Sequence, residues 1–150
     1  MMGQLVRSNN AAALRGARVM IVEDDALLLM DLETILREAG AEIVGGCRNV
    51  KEALTAARDG GIAVAILDVR VGRETIAPVA RQLASSGTPF IFYTGQVGND
   101  PELAEWKGRI VLSKPARASA IIDALAEVLQ HNRVTDESPL ADKLPTSARR

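Results

Sequence analysis

The chain has 150 residues, 47% of them hydrophobic and 25% charged, and a formal net charge of −1. That length sustains one domain with a real core, and the near-neutral charge excludes a global attraction to nucleic acid or membrane surfaces. No apolar run approaches the ~20 residues of a spanning helix, the N-terminal stretch MMGQLVRSNNAAALRGAR lacks a signal peptide's continuous apolar segment, and the lone Cys47 leaves no internal disulfide. A reducing cytoplasm is the expected compartment, with Cys47 an ordinary small residue at a strand end.

Residues 1–16 show no sustained period and are expected to form a leader of uncertain order, ahead of an ordered domain over 17–132. A buried strand over 18–23 comes first. Asp25 then caps a helix running to Ala39, with Leu28, Leu32, Ile35 and Leu36 on one face and Gly40 as its stop. A short strand follows over 41–46. Asn49 begins a second helix, with Glu52 three residues on as in a capping box and Gly60-Gly61 at its end. The apolar strand IAVAIL over 62–67 ends on Asp68. A third helix opens at Thr75, with Pro78 tolerated in its first turn, and ends near Gly87. The strand TPFIFY over 88–93 ends on Thr94. A short helix is expected over 101–106, a fifth strand over 109–113 ending on Lys114, and a last helix over 118–130. The remainder, 133–150, mixes Pro139, Pro145, Ser, Thr and charges and is expected to be a disordered tail.

Strands of this apolar kind alternating with helices specify a parallel sheet covered on both faces, with right-handed crossovers. In such a sheet the site lies beyond the carboxyl ends of the strands. Glu23 and Asp24, Asp68, Thr94 and Lys114 all fall there. Glu23, Asp24 and Asp25 stand in succession, and like charges so crowded need a neutraliser. A hard divalent cation such as Mg²⁺ takes carboxylate oxygens, whereas one Cys and one His make no structural zinc site. His131 belongs near the end of the last helix, far from the acids. Carboxylates, a lysine, a hydroxyl and Mg²⁺ suit phosphoryl transfer. A carboxylate can itself be the nucleophile, and Asp68, at the end of the central strand, is the candidate.

The motifs IVEDD (21–25), ILDV (66–69), FYTG (92–95) and SKP (113–115), in this order and spacing, resemble the receiver domain of two-component response regulators over about 17–132. The resemblance implies a flavodoxin-like, doubly wound, five-stranded parallel sheet of order 2-1-3-4-5. It implies that Asp68 is the phosphoacceptor, that Asp24, Asp68 and the backbone carbonyl of Arg70 bind Mg²⁺, and that Glu23 acts on the metal through water. Thr94 would hydrogen-bond the phosphoryl group and Lys114 would pair with it, followed by a cis peptide to Pro115. Asp25 is left to cap its helix.

The chain departs from the family pattern at the switch. Val111 occupies the position of the usual strand-five aromatic, and the loop after Asp68 reads VRVGRET. The run FIFYTGQ resembles a subgroup with a Phe-Ala-Thr-Gly signature, with Tyr93 where that signature has Ala and Ala116 where an aromatic is common. The run GQVGN over 95–99, with two glycines and few apolar anchors, is expected to be mobile at rest, and the segment 95–106 to serve as the two-state element. Arg70 and Gln96 are expected to flank the path of water to Asp68. The implied partners are a sensor histidine kinase or phosphotransfer protein, and a downstream protein on the face of strand four, strand five and helix five. The tail is too short for a further domain, so output is expected by protein contact or by draining phosphoryl groups. Three alternatives compete: a phosphatase with an aspartyl nucleophile, which would want a second Asp where Arg70 stands; a P-loop enzyme, whose GxxxxGK[ST] is absent; and a degenerate receiver acting as a phosphorylation-independent binding module.

Overall fold

The computed structural model describes residues 10–95 and 100–136. An interior strand of its sheet is β1 (Arg18–Val22), whose last four residues are buried. β1 is paired on one side with β2 (Glu42–Cys47) and on the other with β3 (Val64–Leu67), both in parallel. β6 (Phe90–Thr94) and β7 (Val111–Ser113) complete a parallel sheet of order β2-β1-β3-β6-β7. With the two short strands of a hairpin set aside, this is the expected 2-1-3-4-5 order.

Because successive side chains of a strand point to opposite faces, β1 feeds two separate cores. Val19 and Ile21 pack with Leu29, Leu32 and Leu36 of α2 (Ala26–Glu38) and with Ile121, Leu125 and Leu129 of α5 (Ala118–Asp136). Met20 and Val22 pack with Val50 and Ala53 of α3 (Val50–Asp59) and with Val79 and Leu83 of α4 (Ala77–Ser85). A strand buried on both sides has no use for alternation, which is why its sequence is a continuous apolar run.

The caps follow the expected chemistry. Asp25 Oδ1 accepts from Leu27 N–H and Leu28 N–H at 3.0 and 3.1 Å, and Asn49 Oδ1 accepts from Glu52 N–H at 2.8 Å. The Glu52 carboxylate reaches back to Arg48 N–H, one residue earlier than in a standard capping box. Cys47 is buried, and burial first, then the nearby Glu52 charge, pushes its thiol up to about 11.

Three boundaries differ from the expectation. Residues 10–14 form a helical stretch, α1. Its Leu14 is fully buried in the α2–α5 core, and Asn10 Nδ2 donates to Asp123 Oδ1 at 3.0 Å. One apolar side chain in a polar stretch leaves no period to detect, so these residues read as leader and are part of the fold. The third large helix starts at Ala77 and not at Thr75, because Thr75 is committed to a hairpin: β4 (Arg70–Val71) pairs antiparallel with β5 (Glu74–Thr75). Gly72 turns it at a φ of 64°, which favours glycine. The last helix runs to Asp136, beyond the expected end at Gln130, and most of the expected tail lies outside the described residues.

If α1 is structural, Leu14→Ala should destabilise the domain by about 2–4 kcal/mol, as for other buried leucines. Urea unfolding checks this, and an unchanged midpoint would return residues 1–16 to the status of a leader.

Candidate functional site

The carboxyl ends of β1, β3, β6 and β7 bring the strand-end residues together. The backbone fixes each in turn: Glu23 N–H donates to Cys47 O at 2.9 Å, Asp68 N–H to Val22 O at 3.0 Å, and Lys114 N–H to Thr94 O at 3.0 Å. The Lys114 ammonium lies 2.6 Å from Asp68 Oδ2 and 2.7 Å from Glu23 Oε1. The other Glu23 oxygen accepts from Asp25 N–H at 3.1 Å. Asp24 completes the group, since carboxylate oxygens of Glu23, Asp24 and Asp68 all lie within 4.8 Å of one another. Thr94 is buried at the end of β6, in register with Ser113. The Lys114–Pro115 peptide is cis.

One ammonium thus faces three carboxylates. Burial raises the Glu23 carboxyl above the ordinary range, with the Asp68 charge adding to it, while the bonds from Lys114 and Asp25 N–H only partly offset this. Burial works against the Lys114 ammonium too, but its bonds to Asp68 and Glu23 and their charges outweigh it and raise its pKa. The site stays acid-rich and entirely oxygen-lined, a donor set that fits a hard dication and not zinc. Asp25 lies outside it, with its carboxylate spent on the helix cap.

Several contacts around the site were not legible in the sequence. Gly72 N–H in the hairpin donates to Asp24 Oδ2 at 2.8 Å. Arg48 donates to the Asp24 carbonyl through Nη2 at 3.0 Å and, more weakly, Nε at 3.3 Å. The Arg70 side chain is held by Asp100 in a bidentate pair, with both bonds 2.8 Å. Asp100 also accepts from Glu102 N–H, capping the 3-10 turn Pro101–Trp106. Burial alone would raise the Asp100 carboxyl, but Arg70 and the Glu102 N–H together hold it below the usual carboxylate range. The Asp-Pro sequence was the available signal for that cap.

Residues 96–99, including Gln96 and most of the run expected to be mobile, lie outside the described residues. Residues 100–106 are anchored: Arg70 holds Asp100, Arg81 holds Glu105 in a bidentate pair at 2.7 and 3.1 Å, and the Trp106 ring meets Phe90 edge-on at 5.6 Å. The alternation along β6 is as expected, with Phe90 and Phe92 in the core beside Trp106 and Val111, and Tyr93 in the other.

A parallel sheet of this order with acids, a threonine and a lysine at its strand ends defines a receiver, and the comparisons agree. The response regulator receiver domain model matches residues 19–126, and the chain belongs to that family. It is 36% identical over 111 residues to the transcriptional regulatory protein PdtaR of Mycobacterium tuberculosis, covering 72% of this chain and 54% of that protein. The chain therefore spans about half the length of the curated relatives it matches. Among solved structures, SdrG from Sphingomonas melonis Fr1 is 38% identical, with a TM-score of 0.66 over 76% of this chain and 97% of that one. The response regulator PhyR from Brucella abortus, at 23% identity, shares the fold with a TM-score of 0.71 over 90% of this chain and 58% of that one.

The Arg70–Asp100 pair is asymmetric: the Asp100 side chain is 0% exposed and that of Arg70 43%. Arg70→Ala strands a buried carboxylate and should lower the urea midpoint the more of the two. Asp100→Asn keeps the cap and frees a guanidinium that water can reach, and should lower it less. Urea unfolding of both variants checks the order, and equal losses would contradict it.

Proposed function

We propose that this receiver accepts a phosphoryl group on Asp68 in a Mg²⁺-dependent reaction, from a histidine kinase or phosphotransfer protein. The observation that carries the reading is the Lys114 ammonium held 2.6 Å from Asp68 and 2.7 Å from Glu23, with Asp24 alongside. Asp68 supplies the attacking oxygen: its bond to phosphorus forms as the bond from phosphorus to the donor atom breaks. Asp24, Asp68 and the Arg70 carbonyl would hold magnesium, with Glu23 reached through water, and the ion would neutralise charge on the transferring oxygens.

Lys114 already sits against the acceptor oxygen, so it can follow the charge as that charge spreads to the phosphoryl group. Thr94, at the adjacent strand end, donates its hydroxyl to a second phosphoryl oxygen. Because Glu23 and Asp68 are already buried against the ammonium, little rearrangement is needed before transfer. The chain acts as a phosphoacceptor that assists its own labelling and hydrolysis. It signals by protein contact on the face of β6, β7 and α5 or drains phosphoryl groups from its donor, in the cytoplasm. Among the described residues, no helix is long and apolar enough to cross a membrane.

Incubation with acetyl phosphate and Mg²⁺ should add one phosphoryl group by mass, and Asp68→Asn should abolish the addition while leaving the thermal transition intact. Labelling at another carboxylate in that variant would overturn the assignment. Mg²⁺ should also raise the melting temperature of the unmodified protein, since it binds the folded state alone. Asp24→Ala should remove most of that rise and Asp25→Ala little of it, as thermal melts with and without EDTA would show.

A further inference from the structure

Tyr93 is the chain's one tyrosine and stands where the resembled signature has alanine. It is almost fully buried in the α2–α5 core, where a phenol needs a partner. Its hydroxyl oxygen accepts from Ala116 N–H at 3.1 Å, the first backbone donor after Lys114–Pro115. Proline offers no N–H, so that bond is the nearest backbone anchor on the carboxyl side of Lys114. On the amino side, Lys114 N–H donates to the carbonyl of Thr94, the very next residue of β6. The lysine is therefore slung between two consecutive residues of one strand. The Tyr93 ring also lies beneath the ammonium, its centroid 5.7 Å from Nζ, within reach of a cation–π attraction.

Resting on the phosphoacceptor reading, we infer that Tyr93 is a positioning residue for Lys114: its hydroxyl fixes the backbone after the lysine and its ring supports the ammonium between Glu23 and Asp68. Position matters here because the ammonium bridges both carboxylates, at 2.6 and 2.7 Å. A loop freed at Ala116 would let the lysine settle on one acid and leave the other unpaired. Alanine at this position would supply neither hydroxyl nor ring, so the role does not come with the signature.

The test compares Tyr93→Phe, which keeps the ring and core volume, with Leu129→Ala, which loosens the same core away from the site. The probes are acetyl phosphate labelling with Mg²⁺ and the Lys114 ammonium NMR signal at fixed pH. Tyr93→Phe should slow labelling about fivefold, the scale of one ordinary hydrogen bond, in the transfer rate and not in half-saturating acetyl phosphate. It should also move the Lys114 signal, whereas Leu129→Ala should change stability and neither of these. An unmoved Lys114 signal in Tyr93→Phe, or the same displacement in Leu129→Ala, would overturn the role. If the unsubstituted protein takes no label at all, the phosphoacceptor reading falls, and the Lys114 signal alone decides whether Tyr93 positions the lysine.

Discussion

Everything at the carboxyl end of this sheet depends on one ammonium shared between two buried acids. Lys114 neutralises part of a charge that Glu23 and Asp68 could not carry together in a low-dielectric setting. The arrangement depends on where three strands end, because the three residues come from β1, β3 and β7. Val22 pairs with Leu67, and Leu67 with Phe92, so Glu23 and Asp68 both emerge one residue past a shared row. Phe92 pairs with Val111 and Thr94 with Ser113, so β7 runs on two residues past that row before Lys114 leaves it. The continuous apolar runs thus do more than fill a core. They set the height at which the charges leave it.

Legibility in the sequence followed the strength of the local signal. The parallel sheet could be read because strands such as VAIL and FIFYT are apolar throughout and end on polar residues. The caps at Asp25 and Asn49 could be read because a short oxygen-bearing side chain before a periodic run has one common use. The site residues were visible as strand-end neighbours in a topology, not as a local motif. What escaped were tertiary facts with no local mark. Leu14 is one apolar residue among polar ones, and only its packing against α2 and α5 shows that it belongs to the core. The hairpin over 70–75 is too short to carry a period, and its consequence was to delay the next helix by two residues.

The pair between Arg70 and Asp100 is the clearest case of a contact with no local mark in the sequence. The Arg70 guanidinium is committed to a carboxylate thirty positions on. That commitment ties the loop after Asp68 to the start of the Pro101–Trp106 turn, and Arg81 with Glu105 ties the end of the same turn to α4. Trp106 adds an aromatic contact to Phe90 between them. By these partners, residues 100–106 are stitched at both ends. Val111, in place of an aromatic, packs in the same cluster as Trp106.

The Gly72 turn has a practical side. A two-stranded hairpin with an exposed tip, and nothing within 4 Å of where a Cβ would be, looks like an ideal place to graft an epitope or a circularly permuted reporter. It is not one. The amide at that tip is spoken for by Asp24, so lengthening the loop would swing an acid out of the charge cluster while leaving the domain folded. Engineering that needs a permissive site on this protein should avoid this open turn and look to the end of the sheet remote from the acids.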